Sequence, residues 1–334
     1  MKLHFLTLST DERRLYFEQA AARRDVSPIV MEKDFWVCWV LSLIYASEFA
    51  EHLVFKGGTS LSKVYGVIER FSEDIDLSLS PGFLGLPEPR ESRNQSNRWM
   101  SQAEEACAAA VRDRIAPVLG AAARDCLGER TPPWFEFKTD SLTGSPVLLF
   151  HYQSSQPEGF AYLARSVKLE FGSLTDQQPV GRYPIVPWVA EALPEAFGDW
   201  GCEVIALDVE RTFWEKATIL HAEHHRPADK RTPPRFSRHY ADTAALAIDP
   251  RTLGAADRTE LCARVVAWKG RFFGSSWANY PLARPGSFRL IPPPGRMDDL
   301  RADYRAMRDM YLTQPRTFDA VMADLQRLEH RLNG

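Results

Sequence analysis

Leu53-Val54-Phe55 is a short apolar run that breaks at Gly57-Gly58, and Asp74-Ile75-Asp76-Leu77-Ser78-Leu79 alternates polar and apolar residues. The first pattern suits a buried strand entering a turn, the second a half-buried strand. Between them Ser60 to Glu69 has helical spacing, with Leu61, Val64, Tyr65 and Ile68 on one face. The segment therefore reads as strand, Gly-Gly-Thr-Ser turn, helix, and a second strand that bears two aspartates. Residues two apart on a strand project to one face, so Asp74 and Asp76 converge, and such carboxylates repel unless a cation lies between them. Mg²⁺ (or Mn²⁺) suits that place, because it takes oxygen ligands and shares them with substrate phosphates. The glycines let the backbone approach closely, and the start of the next helix offers free N–H groups to a phosphate. The segment does not meet Gly-x-x-x-x-Gly-Lys-[Ser/Thr], so it is not a P-loop.

The rest of the chain frames this segment. Ser9 and Glu12 form a capping box ahead of a helix to about Arg24, and Ser27-Pro28 starts a second helix to about Ser47. The run Phe35-Trp36-Val37-Cys38-Trp39-Val40-Leu41 is flanked by charge and is too short to span a membrane, so it reads as a buried helix. Residues 81–97 form a loop, and a helix follows to about Cys126. Strands are expected at Trp134–Lys138, Val147–Gln153 and Ser166–Phe171, and from Val209 the pattern is mainly helical. The expected class is α+β: residues 1–200 form a domain with a small mixed sheet and N-terminal helices over 10–48, and residues 201–334 form a helical domain.

Composition excludes several classes. With 45% hydrophobic and 25% charged residues the chain can build a core, which rules out wholesale disorder. The net charge of −3 excludes a polybasic mode of nucleic-acid binding, though not a local basic patch. Five scattered cysteines with no Cys-x-x-Cys argue against a disulfide framework or zinc knuckle. The N-terminal residues are too short and mixed for a signal peptide, so a soluble, cytoplasmic protein with no membrane role is expected.

Gly57-Gly58-Thr59-Ser60 with Phe71-Ser72-Glu73-Asp74-Ile75-Asp76-Leu77 resembles the minimal nucleotidyltransferase fold of the DNA polymerase β-like superfamily. More narrowly it resembles the AbiEii/AbiGii toxin family, which includes the mycobacterial MenT toxins. Fifteen residues separate Gly58 from Asp74, longer than is usual in the superfamily but shared by the narrower family. Glu32-Lys33-Asp34-Phe35-Trp36, Glu210-Arg211-Thr212-Phe213-Trp214-Glu215-Lys216, Arg238-His239-Tyr240-Ala241-Asp242 and Asp303-Tyr304-x-x-Met307 carry the likeness over most of the chain.

The resemblance implies a Mg²⁺-dependent transfer of a nucleotide from an NTP to an acceptor hydroxyl. Asp74 and Asp76 would hold metal with a third carboxylate, for which Glu170 in Val167-Lys168-Leu169-Glu170-Phe171 is the candidate. Gly57, Gly58, Thr59 and Ser60 would cradle phosphates. A helical lysine and a later aspartate of the MenT site correspond to Lys216 and Asp242, with Lys216 neutralising the triphosphate; read alone, Lys216 is a surface charge. Ser72 matches a serine phosphorylated by kinase-type antitoxins, where added negative charge would block the site; read alone, it caps a turn. The family implies a toxin of a type IV toxin–antitoxin or abortive-infection system, a separate antitoxin of DNA-binding type, and the tRNA 3′ end as RNA acceptor. The rivals are transfer to a protein hydroxyl or small molecule, and an idle fold that serves only as a binding partner in a defence complex.

Two further features follow the Glu210–Lys216 motif. Arg226, Lys230, Arg231, Arg235 and Arg238 make a local basic patch broken by prolines, suited to RNA phosphates. His221 and His225 have metal-ligand spacing, but His-Ala-Glu-His-His is not His-Glu-x-x-His, and no third ligand follows at a familiar distance, so zinc is not expected.

Overall fold

The computed structural model describes residues 2–72, 74–87, 93–141, 143–157, 164–198 and 200–334. The contacts divide the chain into two compact units. The first holds Met1–Val64, Ser72–Glu88 and Trp99–Ala206, and the second Tyr65–Phe71, Pro89–Arg98 and Leu207–Gly334. A single cut near residue 200 does not describe this, because Tyr65–Phe71 and Pro89–Arg98 group with the second unit.

The first unit is built on a seven-stranded sheet with strands β1 (Leu53–Lys56), β2 (Ile75–Leu79), β3 (Phe135–Thr139), β4 (Pro146–Phe150), β5 (Val167–Gly172), β6 (Val180–Ile185) and β7 (Cys202–Leu207). Their order is β3-β4-β5-β2-β1-β7-β6. β1 runs antiparallel to β2 and parallel to β7, and β2 runs parallel to β5. Helices α1 (Lys2–Thr7), α2 (Thr10–Arg24) and α3 (Pro28–Tyr45) precede the sheet, and α4 (Gly57–Lys63) joins β1 to the approach to β2. The Ser9–Glu12 capping box is present as the sequence indicates. α5 (Arg93–Ala110) leads through a π turn at Val111–Ile115 into α6 (Ala116–Leu127), where one unbroken helix was expected. Pro117 explains the break, since it has no N–H for the carbonyl one turn back. α7 (Trp188–Ala192) and α8 (Pro194–Phe197) complete this unit.

Aromatic burial and partnered charge hold the first unit together. Phe5 packs edge to face on Phe17, Phe35 and Trp200 and at a tilt on Phe197, and Trp36 stacks on Tyr152. α3 is buried nearly all round, which its long apolar run requires, yet it also buries Glu32, Lys33 and Asp34. Each has a partner: Glu32 accepts from Ser154 and Ser155, Lys33 donates to the Ala164 carbonyl, and Asp34 pairs with Lys63 at 2.8 Å. Lys63 also donates to the Val186 carbonyl and lies over the Trp188 ring. Burial opposes the Lys63 charge, but the Asp34 carboxylate holds its pKa above the ordinary lysine value. The last residue of α4 is thereby fastened to α3. Among the described residues, no helix is long and apolar enough to cross a membrane.

The helix expected over Ser60–Glu69 stops at Lys63. Gly66 takes a left-handed conformation (φ +58°), and the chain passes into the second unit, where Phe71 N–H donates to the Met310 carbonyl and Leu312 N–H to the Glu69 carbonyl. That unit is helical: α9 (Val209–His224), α10 (Ser237–Ile248), α11 (Thr259–Phe272), α12 (Met297–Ala306) and α13 (Phe318–Asn333).

Replacing one member of the Lys63–Asp34 pair strands the other in the core. Lys63→Met is expected to cost about 3–5 kcal/mol by urea denaturation, and the double variant Lys63→Met/Asp34→Asn to recover part of it. A loss under about 1 kcal/mol, the size of an exposed ion pair, would contradict the pairing.

Candidate active site

In the first unit β1, β2 and β5 align three charged residues. Lys56 on β1 is the cross-strand partner of Asp76, and Asp76 is the register partner of Glu170 on β5. Paired residues on adjacent strands share a face, so the two carboxylates stand side by side. Asp74 lies one residue ahead of β2 and is half-buried. The Asp76 carboxylate rests on Gly57: a β-carbon built there would meet Asp76 Oδ2 at 2.0 Å, and Gly57 has a φ of +79°. Only glycine admits both the conformation and the approach.

The hydroxyls after the glycines serve the loop. Thr59 Oγ1 lies 2.9 Å from Ser72 Oγ and donates to the Asp74 carbonyl, while Ser60 Oγ donates to the Gly57 carbonyl at 3.1 Å. Both side chains are buried, and their hydroxyls fix the backbone beside Asp74 and at Gly57. Ser72 is half-buried beside Thr59.

Lys168 is a residue that sequence reasoning missed. Its ammonium lies 2.5 Å from Glu170 Oε1 and 3.0 Å from Asp140 Oδ2. Burial opposes its charge, but hydrogen bonds to Glu170 and Asp140 and the fields of Glu170 and Asp74 hold its pKa above the ordinary lysine value. The alternation Val167-Lys168-Leu169-Glu170-Phe171 carries the signal, since it places Lys168 and Glu170 on one face.

The donor set suits a hard divalent cation. Asp76 and Glu170 supply adjacent carboxylate oxygens, and this corner already draws an ammonium to Glu170. Among the described residues no group of three His, Cys, Asp or Glu is placed to hold a metal. Two carboxylates completed by substrate phosphates is the usual arrangement for Mg²⁺.

In the second unit Lys216 and Asp242 meet, with Nζ 2.8 Å from Asp242 Oδ2. Both are buried, so Lys216 is not the surface charge that its composition alone suggested. Arg70, which the sequence reading passed over, forks onto the same carboxylate with Nε to Oδ1 and Nη2 to Oδ2, each at 2.8 Å. Burial would raise the Asp242 pKa, but Arg70 and Lys216 hold it well below the usual carboxylate range. Lys216 is lowered by burial, with Asp242 opposing and Arg70 adding to the shift. His239 Nδ1 lies 3.4 Å from Lys216 Nζ, and burial and the neighbouring cations keep that imidazole neutral.

The basic stretch of this unit divides. Arg226 donates to buried Glu223 at 2.6 Å and lies over Trp277, so it is a structural charge, and Arg238 is half-buried. Lys230, Arg231 and Arg235 are exposed. His221 is neutral, its pKa lowered to about 4 by burial, and both ring nitrogens are engaged, one with the Asn279 carbonyl and one with Arg289 N–H. That arrangement leaves it no lone pair for zinc.

A mixed sheet that sets acidic side chains beside a Gly-Gly turn is the framework of a nucleotidyltransferase. The chain belongs to the nucleotidyl transferase AbiEii toxin family of type IV toxin–antitoxin systems, whose family model matches residues 39–324. Among solved structures it is similar to MenT4, a nucleotidyltransferase toxin from Mycobacterium tuberculosis, with a TM-score of 0.50 and 17% identity over 97% of this chain and 89% of that one. At that identity the likeness shows the fold alone. No curated protein matches the chain.

Two substitutions test these arrangements. Gly57→Ala is expected to cost about 1–2 kcal/mol in backbone strain, to turn Asp76 aside, and so to reduce nucleotide transfer as far as Asp76→Asn does. Transfer at the wild-type rate would show that Asp76 need not lie on α4. Asp242→Asn leaves Arg70 and Lys216 buried without a counter-charge and is expected to destabilise the protein by about 3–5 kcal/mol in a denaturant titration.

Proposed function

We propose that this toxin transfers a nucleoside monophosphate from an NTP to an RNA acceptor, the tRNA 3′ end by family resemblance, with Mg²⁺ or Mn²⁺ held by Asp76 and Glu170 together with Asp74. The observation that carries the reading is the side-by-side placement of Asp76 and Glu170 against Gly57, within a chain of nucleotidyltransferase family. The acceptor hydroxyl oxygen forms the new bond to the α-phosphorus as the α–β phosphoanhydride bond breaks and pyrophosphate departs. When bound, the cation lowers the pKa of the acceptor hydroxyl and neutralises charge on the leaving group.

The chain's own residues then have separate tasks. Gly57 keeps Asp76 in place, and the Thr59 hydroxyl holds the backbone at Asp74. Lys168 offsets the negative charge of Glu170, Asp140 and Asp74 until a cation takes over part of that duty. Lys216 supplies positive charge to the triphosphate, and Lys230, Arg231 and Arg235 offer exposed cations to RNA phosphates. Ser72 sits where a phosphoryl group would crowd Asp74 with about two negative charges, which accords with control by phosphorylation. A separate antitoxin of DNA-binding type completes the system.

The test incubates the protein with Mg²⁺, each α-³²P-labelled NTP in turn and total tRNA. Label is expected in tRNA, dependent on Mg²⁺, and reduced about 10³-fold or more in Asp76→Asn, since two-carboxylate metal sites supply several kcal/mol of barrier reduction. Label in protein and none in RNA would replace RNA as the acceptor. An Asp76→Asn protein that labels as well as wild type would remove the site.

A further inference from the structure

We infer that Trp277, with Lys230 over its ring and Arg231 next along the chain, forms a stacking site for an unpaired RNA strand. The inference rests on the reading that the acceptor is RNA, and it deepens that reading by naming where the strand is held and in what form. Every residue it uses belongs to the second unit.

The cations stand on a rigid loop between α9 and α10. Arg296 donates to the carbonyls of Pro227 and Lys230 at 2.6 and 2.8 Å and to Thr232 Oγ1 at 2.7 Å. Thr232 in turn donates to buried Glu223 at 2.8 Å, and Asp303 accepts from the backbone N–H groups of Arg235 and Ser237 at 2.6 and 2.9 Å. While these contacts fix the backbone, Lys230 and Arg231 stay exposed. Among the described residues neither enters an ion pair, so no carboxylate already answers their charge. Such cations, on a backbone that needs no further ordering, take up phosphates at small entropic cost.

The second component is aromatic. Trp277 is half-buried in the loop that follows α11, with the Arg226 guanidinium 4.6 Å and the Lys230 ammonium 5.9 Å from its ring centroid. This loop is pinned as well: Ala278 N–H donates to the Ser275 carbonyl, and His221 Nε2 donates to the Asn279 carbonyl at 3.1 Å. Arg226 is itself held by Glu223 at 2.6 Å, so guanidinium and indole are both fixed. Phe273, earlier in the same loop, is 49% exposed, an aromatic surface that the unit's own packing leaves uncovered. Fixed rings beside unanswered cations bind single strands, because bases stack on the rings while phosphates meet the cations. A duplex offers the phosphates but keeps its base faces stacked on one another. An acidic protein segment offers charge without planar base faces. An unpaired strand satisfies both components.

The test measures binding by the full-length chain in EDTA, so that no transfer occurs. Fluorescence anisotropy follows a short single-stranded RNA, an RNA duplex of the same length and poly-L-glutamate, with polyphosphate as a competitor that has phosphates and no bases. The single strand is expected to bind more tightly than the duplex. Trp277→Leu is expected to weaken single-strand binding about tenfold, with the salt slope and the affinity for polyphosphate as in wild type, and Trp277→Phe to keep most of the affinity. Lys230→Gln with Arg231→Gln should lower the salt slope by about 1 to 1.5, the share of two phosphate contacts. Ultraviolet crosslinking of the single strand to the wild-type chain needs no variant, and its peptide, located by mass spectrometry, is expected to contain residues 273–277. Wild-type RNA affinity in Trp277→Leu, an equal loss for RNA and polyphosphate, or crosslinks confined to other segments would overturn the stacking role and leave RNA as the acceptor. Poly-L-glutamate bound as tightly as the single strand would make the surface a dock for an acidic protein instead. No binding of either RNA by the wild-type chain would bring down the RNA reading, and this inference with it.

Discussion

The carboxylate of Asp76 can lie against α4 only because Gly57 has no side chain, and the first unit's chemistry is arranged around that approach. A β-carbon at Gly57 would meet Oδ2 at 2.0 Å, so the residue that opens α4 and the residue on β2 are sterically linked. The strand register then carries the constraint sideways, since Asp76 faces Glu170 on the parallel neighbour and Lys56 on the antiparallel one. A slip of one residue in β2 would send Asp76 to the opposite face, so the sheet's hydrophobic pattern and its acidic pair specify the same register. Leu77 and Leu79, buried in the alternate positions, supply the packing that holds it.

Buried charge is the second organising principle, and in each unit its partners come from far along the chain. Glu32, Lys33 and Asp34 sit on one helix, yet they are answered by Ser154, Ser155, Ala164 and Lys63. Asp242 is answered by Arg70 and Lys216. Such groups are weak contributors to net stability, because desolvation offsets most of the attraction, but they strongly penalise any arrangement that leaves a partner out. Their effect is to specify one arrangement of the helices.

Much of this was legible in the sequence where a local rule and a packing requirement agree. The capping box at Ser9, the buried helix at Pro28–Tyr45, the Gly-Gly turn and the alternation of β2 and β5 all follow from short-range patterns. The failures lie where tertiary structure decides. The helix expected through Glu69 ends early because Gly66 turns the chain toward the segment at Met310–Thr313, which no local pattern announces. β6 was hidden by its glycine and proline, which an edge strand tolerates, and β7 by its place at an expected boundary. Asp76 was read as a metal carboxylate from its spacing, but Arg70 and Lys168 were passed over because a cation's role depends on which carboxylate it reaches.

The placement of cations separates two kinds of carboxylate in this protein. Asp242 is buried and doubly paired, so it stays ionised and is committed to its partners. Glu170 keeps about a third of its side-chain surface exposed, and its ammonium partner Lys168 is equally accessible. An exposed pair is worth little against a competing ligand, because water and salt screen it. On the proposed reading, a divalent cation arriving with a triphosphate would displace Lys168 from Glu170 at small cost, whereas Arg70 is held on Asp242 by two buried hydrogen bonds. The two acidic centres thus differ in exchangeability: one is poised to trade its cation, and the other is built to keep it.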